Sequence, residues 1–328
     1  MDVIWPILGF VSGLALLWIG AELLVKGSVG LARAMGVSPF VIGLTVVSIG
    51  TSAPELSSGI RAVLGGIPGL NVGNVVGSNI ANILLILGVT ALVCPIPVRA
   101  GLVRKEVPIM IGVALAGWGV MLGGTIGRFE GALLLVLLVV FLIWSYRQGR
   151  RDAPLIEAEV STGRAEQTLE HPPRLVMGVV LTLIGLVMLK FGADLFVDGA
   201  IRIARHIGVS DVVIGKTVVA FGTSVPELAA SVAAALRRHP DIAIGNVLGS
   251  NVFNVLCVLG VTALIAPLPV SEHIIWIDMA VVLGASLACI PIMWTSRRIT
   301  RVEGVILIAG YLAYVAGQFV ARGPSSVQ

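Results

Sequence analysis

Apolar residues in this chain come in runs of about 20, the length of helix that crosses a bilayer core, and polar residues gather between the runs. Ten runs can be drawn: 3–25, 39–64, 70–93, 107–121, 129–146, 175–197, 209–236, 242–265, 274–294 and 303–320. The pattern predicts an all-α polytopic membrane protein with ten transmembrane helices. The first run begins almost at Met1, with neither a basic leader nor a small-residue cleavage site, so it reads as a retained helix and not as a signal peptide. One connection is long and polar: 147–174 is rich in charge and carries Pro154, Pro172 and Pro173, which favours a flexible cytoplasmic linker. It separates a five-helix unit at 1–146 from another at 175–328.

Two runs break the apolar rule in the same way. Gly43-Leu-Thr-Val-Val-Ser-Ile-Gly-Thr-Ser-Ala-Pro-Glu55 leads to Gly73-Asn-Val-Val-Gly-Ser-Asn-Ile-Ala-Asn82. Gly215-Lys-Thr-Val-Val-Ala-Phe-Gly-Thr-Ser-Val-Pro-Glu227 leads to Gly245-Asn-Val-Leu-Gly-Ser-Asn-Val-Phe-Asn254. Glu227 less Glu55, Asn246 less Asn74, Ser250 less Ser78 and Asn254 less Asn82 all give 172. Gly20-Ala-Glu-Leu-Leu-Val-Lys-Gly27 and Gly192-Ala-Asp-Leu-Phe-Val-Asp-Gly199 keep the same offset. The halves therefore descend from one unit. Each holds five spans, an odd number, so the second enters the membrane from the opposite side. That is the inverted-repeat design of secondary transporters, with the substrate site near the midplane between the repeats.

Composition agrees: of 328 residues 57% are hydrophobic and 12% charged, with a mean hydropathy of +1.01, against roughly a quarter charged in soluble domains. The net charge of +4 lies in the loops, so it marks topology and no nucleic-acid partner. With the N-terminus outside, cytoplasmic loops hold 15 of the basic residues and the external side 5, so both termini are expected outside an inner or plasma membrane. Lys190 can pair with Asp194 one turn on, and Lys216 near an outer helix end is expected to snorkel. Cys94, Cys257 and Cys289 lie in or beside apolar runs and read as packing residues.

A carboxylate in such a segment has no water to solvate it and marks a functional site by default. On a helix, Thr51 and Ser52 share a side with Glu55, and Pro54 should open the helix, freeing carbonyls near Ser48. Ala220, Thr223, Ser224 and Glu227 repeat the arrangement, while Ser78 with Asn82 and Ser250 with Asn254 stand one turn apart on the following helices. Gly73, Gly77, Gly245 and Gly249 would let helices approach there. Hydroxyl, carbonyl, amide and carboxylate oxygens without nitrogen or sulfur suit hard cations. Each hydroxyl alone could instead bond back to a helix carbonyl. Asn74, Asn79, Asn246 and Asn251 read as interhelical ties or caps, and Glu22 and Asp194 as salt-bridged or capping groups near helix ends. Glu55 and Glu227 have no such ordinary account.

At these residues the chain resembles the cation/calcium exchanger superfamily, in particular prokaryotic sodium/calcium exchangers, over most of its length. The doubled Gly-Thr-Ser-x-Pro-Glu and Gly-Asn-x-x-Gly-Ser-Asn patterns carry the resemblance. It implies ten helices in two inverted repeats, with Glu55 and Glu227 as central calcium ligands shared with sodium. Thr51, Ser52, Ser78, Thr223, Ser224 and Ser250 would add side-chain or carbonyl oxygens, and Ser48 and Ala220 carbonyls. Ser48 departs from the common Ala. Asn82 and Asn254 complete the set as amides; many relatives have Asp at the latter position, potassium-dependent ones typically so, which weakens the case for potassium.

The expected function is a secondary antiporter exchanging sodium for calcium by alternating access, the first and sixth spans moving past the rest. It needs no prosthetic group, and its partners are the two ions and the bilayer, with no obligate protein partner evident. A proton/calcium exchanger is the nearest rival, since a glutamate in low dielectric can carry protons; a cation channel is a further one. An intramembrane enzyme is disfavoured: there is no His-Glu-x-x-His, and no Gly-x-Ser-x-Gly with a histidine placed to serve it.

Overall fold

The computed structural model describes residues 4–159, 175–209, 214, 220–295 and 297–321, most of them helical. Ten elements carry the fold: α1 (Ile4–Met35), α2 (Pro39–Leu64, broken once), α3 (Pro68–Val93), α4 (Ala100–Met121), α5 (Arg128–Glu159), α6 (Leu175–His206), α7 (Val225–Leu236), α8 (Pro240–Ile265), α9 (Ile274–Thr295) and α10 (Arg301–Ala321). Seven of them, α1, α2, α3, α5, α6, α8 and α9, are long and apolar enough to cross a membrane. The outer helices α1, α5 and α6 turn large apolar side chains outward, among them Trp5, Trp18, Phe129, Val136, Leu183 and Phe191. That is the surface a hydrocarbon solvent requires, because no hydrophobic gain comes from hiding these groups from lipid.

Several helices run beyond their apolar runs. Ten residues past Val25, α1 still continues to Met35, because Leu, Ala and Arg keep up helix propensity after hydrophobicity drops. Likewise α5 passes Tyr146 and reaches Glu159, so the first part of the expected linker is helix; its remainder, 160–174, lies outside the described residues. Lys216 lies outside them too. The three cysteines are free.

Two assemblies can be told apart. The first is α1 against α6, each of 32 residues. Glycines recur at every seventh position on both: Gly13, Gly20 and Gly27 on one, and Gly178, Gly185, Gly192 and Gly199 on the other. A Cβ on Gly185 would lie 2.6 Å from the Leu24 nitrogen, and one on Gly27 2.5 Å from the Thr182 nitrogen. Gly13 meets Phe196 and Gly192 in the same way, so the partner's number falls as the first helix's rises and the two run antiparallel, backbone to backbone. Phe10 stacks on Phe196 with ring centroids 4.6 Å apart at the far end.

The second assembly is the core. Here α3 and α8 are almost wholly enclosed, with Val72, Val75, Ile80, Ile83, Val247, Leu248 and Val258 among its buried side chains. Two short antiparallel ladders tie its loops together, Ile96–Pro97 with Arg298–Ile299 and Thr125–Ile126 with Leu268–Pro269. Shifting Ile96–Pro97 by 172 lands on Leu268–Pro269, and shifting Thr125–Ile126 lands one residue short of Arg298–Ile299, so the ladders exchange strands under the repeat with a one-residue slip.

An ion pair links the two assemblies. Glu22 is in the middle of α1, not near its end as the apolar run implied, and it pairs with Arg237 at the end of α7. Asp194, its mate in the repeat, is also inside a helix and pairs with Lys190 as the spacing predicts.

Candidate ion-binding site

The broken helices build the site. In α2 the segment Ser48–Thr51 stops at Ser52, whose ψ of 7° is not helical, and a new helix starts at Ala53 with Pro54 in its first turn. Proline suits that position, where an N–H would have no partner. The carbonyl that loses its helical donor to Pro54 is four residues back, at Gly50; the Ser48 carbonyl keeps its bond from the Ser52 N–H at 3.0 Å. The freed carbonyl thus lies two residues on from Ser48, whose own oxygen keeps its helical bond and is also approached by the Thr51 hydroxyl at 3.5 Å. Ser224, with ψ of 4°, and Pro226 repeat the break ahead of α7, and Ala220 opens the short turn Ala220–Gly222 before it.

Glu55 and Glu227 therefore each occupy the first turn of a half-helix, where the positive end of the helix dipole favours an anion. Both are 1% exposed. They act on each other electrostatically, with Thr223 and Ser224 beside Glu55, and Thr51 and Ser52 beside Glu227. The Ser52 hydroxyl donates to Glu227 Oε1 at 3.0 Å. Among the described residues neither oxygen of Glu55 has a hydrogen-bond partner, nor has Glu227 Oε2.

Neutral oxygens in the same condition come from the residues the sequence singled out. Buried and, among the described residues, without a partner are the hydroxyls of Ser78, Thr223 and Ser250 and the amide oxygens of Asn82 and Asn254. Back-bonding to a helix carbonyl accounts for Ser48, whose hydroxyl donates to Leu44 at 2.7 Å, but not for these three. The half-helix Ala53–Leu64 packs against Asn254–Leu259, and α7 against Ala81–Ile86, so each asparagine sits on the element facing the other half's carboxylate. Both of those stretches are π-helical, a local widening frequent at functional sites.

Close helix approach is direct for two of the four glycines. A Cβ on Gly245 would lie 2.6 Å from the Phe40 oxygen, and one on Gly249 2.2 Å from the Leu44 oxygen. The stretch 215–219, within the repeat mate of the α2 backbone they touch, lies outside the described residues; among the described ones a Cβ on Gly73 would meet only Ile274 Cδ1, at 4.0 Å, and one on Gly77 nothing within 4 Å.

Asn79 and Asn246 act as ties, as expected; Asn251 Nδ2 bonds within its own helix instead, and Asn74 Nδ2 has no hydrogen-bond partner among the described residues. Asn246 Nδ2 donates to the Glu227 carbonyl at 3.2 Å and to Ser231 Oγ at 3.0 Å, and its Oδ1 accepts from Thr51 at 3.1 Å. Asn246→Ala strands several buried groups, each worth about 1–3 kcal/mol when left unpaired. The expected result is thermal unfolding at clearly lower temperature, in ion-free detergent solution, than Ser231→Ala, which strands fewer. Sequence reading missed Ser231, because Gly59 stands at its repeat position. It also missed a buried cluster in which Tyr314 and Gln318 donate to Asp278 Oδ1 at 3.0 and 2.9 Å. The offset of 172 from Glu106 to Asp278 was the available signal.

Two buried carboxylates at helix breaks, with unpartnered neutral oxygens on the elements packed around them, have the chemistry of a site for hard cations, and the helices around them are those of an integral membrane protein. Among the described residues no group of three or more His, Cys, Asp or Glu converges, which leaves the neutral oxygens to complete any coordination shell. The chain belongs to the sodium/calcium exchanger protein family, whose model matches residues 5–147 and 177–320. CaxA of Alkalimonas amylolytica is 40% identical over 92% of this chain and 95% of its own length. The sodium/calcium exchanger MaX1 of Methanosarcina acetivorans is 33% identical over 94% and 96%. A structure of the sodium-calcium exchanger NCX_Mj, soaked with zero Na+ and Ca2+, has a TM-score of 0.82 and 36% identity, covering 97% of this chain and all of that one.

Proposed function

We propose that the protein is a secondary antiporter that exchanges sodium for calcium by alternating access. The observation that carries this is the buried pair Glu55 and Glu227, with three of its four oxygens unpartnered among equally unpartnered hydroxyls and amides. Such a pair costs several kcal/mol unless a cation or protons neutralise it. One calcium ion balances two carboxylates, and so do two sodium ions, so the two cargoes compete for one set of oxygens. Ligands in this reading are Glu55, Glu227, the hydroxyls or carbonyls of Thr51, Ser52, Ser78, Thr223, Ser224 and Ser250, the carbonyls of Ser48 and Ala220, and the amide oxygens of Asn82 and Asn254.

The architecture in this reading is ten spans in two inverted repeats, 1–146 and 175–328, joined by 147–174, with both termini outside. The exchange of strands between the two ladders under the 172 offset supports it, as does the pairing of loops that alternate topology puts on one side. The paired helices α1 and α6 are the elements whose displacement would open one side and close the other. In that scheme the Glu22 bond to Arg237 closes the cytoplasmic side, and the repeat position of Arg237 on the other side is Gly65, which offers no such partner.

The test is calcium-45 uptake into proteoliposomes loaded with sodium, with choline-loaded vesicles and an imposed pH gradient as the other arms. Sodium-loaded vesicles are expected to take up calcium, and choline-loaded ones not to. Uptake driven by the pH gradient alone would make it a proton exchanger, and uptake without any counter-ion gradient a channel.

A further inference from the structure

Amide side chains have a polarity that the groups around them must choose, and in this core the choice is forced in sequence. Asn251 offers its backbone carbonyl, which can only accept. Asn79 meets it with Nδ2, at 3.3 Å, and so turns its own Oδ1 the other way. That oxygen accepts from Asn254 Nδ2 at 3.2 Å, which turns Asn254 Oδ1 away in turn, buried and without a hydrogen-bond partner. Asn79, Asn251 and Asn254 are 3%, 4% and 1% exposed, so water is not at hand to support the opposite choice.

We propose that Asn79 is a positioning residue for the ion site: by fixing the polarity of the Asn254 amide it ensures that a carbonyl oxygen, and not an NH2 group, faces the cations. The proposal rests on the exchanger reading above, in which Asn254 contributes a ligand oxygen. Reversing the chain would set the Asn79 oxygen against the Asn251 carbonyl, acceptor to acceptor, and aim two N–H dipoles at a site that holds sodium or calcium. A cation and an NH2 group repel in a low-dielectric interior, so the relay removes a state that would oppose binding.

The device is one-sided. Asn251 is the repeat mate of Asn79, 172 residues on, but its Nδ2 donates to Val247 in its own helix at 2.8 Å. Among the described residues no corresponding bond from Asn251 holds Asn82. The same pattern of residue types thus fixes one amide of the pair through this bond and not the other.

The test measures the half-saturating sodium and calcium concentrations and the maximal exchange rate in proteoliposomes for Asn79→Ala, Asn254→Ala and the double variant. Each single variant is expected to raise half-saturation about three- to tenfold, with a smaller change in maximal rate. The double variant should match Asn254→Ala alone, because Asn79 acts only through Asn254. Additive losses, or a fall in maximal rate without a change in half-saturation, would overturn the proposal and make Asn79 a plain packing residue. Should Asn79→Ala not fold, Asn79→Ser carries the same expectation, since a hydroxyl both donates and accepts and so imposes no polarity. Glu227→Gln runs alongside: if it keeps wild-type affinity, the exchanger site itself is wrongly assigned, whereas its loss together with additive Asn79 behaviour refutes the relay only.

Discussion

Glu55→Gln and Glu227→Gln are each expected to cut sodium-dependent calcium flux by about 100-fold or more. Removing one partner from a buried charged cluster costs about 3–5 kcal/mol, and 1.4 kcal/mol is a factor of ten in affinity. Neutral oxygens cannot make up the difference, because every other member of the proposed ligand set is uncharged. Stability should move the other way. Without ions, the wild-type protein holds two carboxylates at 1% exposure with three oxygens lacking partners. An amide there carries no charge to desolvate, so the ion-free variants should unfold at a higher temperature than ion-free wild type. Calcium or sodium should then raise the unfolding temperature of wild type and scarcely move that of either variant. Thermal scans with and without each ion check both halves. Flux surviving in both variants would remove the carboxylate pair from the mechanism.

Gly249→Ala is expected to damage the protein out of proportion to one methyl group. Its Cβ would lie 2.2 Å from the Leu44 carbonyl oxygen, 2.8 Å from the Leu44 carbonyl carbon and 2.6 Å from the Ser48 hydroxyl. Backbone atoms cannot step aside as a flexible side chain would, so α8 and the first part of α2 must separate. Overpacking of this kind costs about 1–3 kcal/mol, and the displaced segment leads directly to Ser48, Thr51 and Ser52. Both stability and transport should therefore fall together. Gly119→Ala is the control: it lies exposed within α4 with nothing described within 4 Å of a Cβ. In a helix that exchange is neutral or stabilising by up to about 1 kcal/mol. Equal behaviour of the two variants would mean that the close approach at Gly249 is not a constraint.

Much of this was legible before any coordinates, for physical reasons that differ from residue to residue. Apolar runs end where lipid ends, so 39–64 coincides with α2 and 274–294 misses α9 by one residue. Helices that go on past the bilayer left no such mark, which is why 129–146 stops thirteen residues short of Glu159. The site was readable because buried oxygens in apolar segments are costly and so conspicuous, and the repeat displayed them twice. Hydrogen-bond polarity was not readable. Asn79 and Asn251 are the same residue type at matched positions, yet one bonds across helices and the other to its own. Thr51 was paired in advance with Glu55 by helical spacing, but its hydroxyl reaches Asn246 of the other half instead. Spacing finds neighbours along a helix; it cannot see what crosses from another.

The glycine seam between α1 and α6 has a mechanical side. Two helices in backbone contact along 32 residues, roughly 48 Å each, make a two-ply beam considerably longer than the roughly 30 Å hydrocarbon layer. Bending such a beam would shear one ply against the other, and the glycine notches, where an added Cβ would come within 2.5–3.1 Å of the opposite backbone, resist that shear. A push at one end is thus delivered to the other as travel of the whole beam, with little lost to flexing.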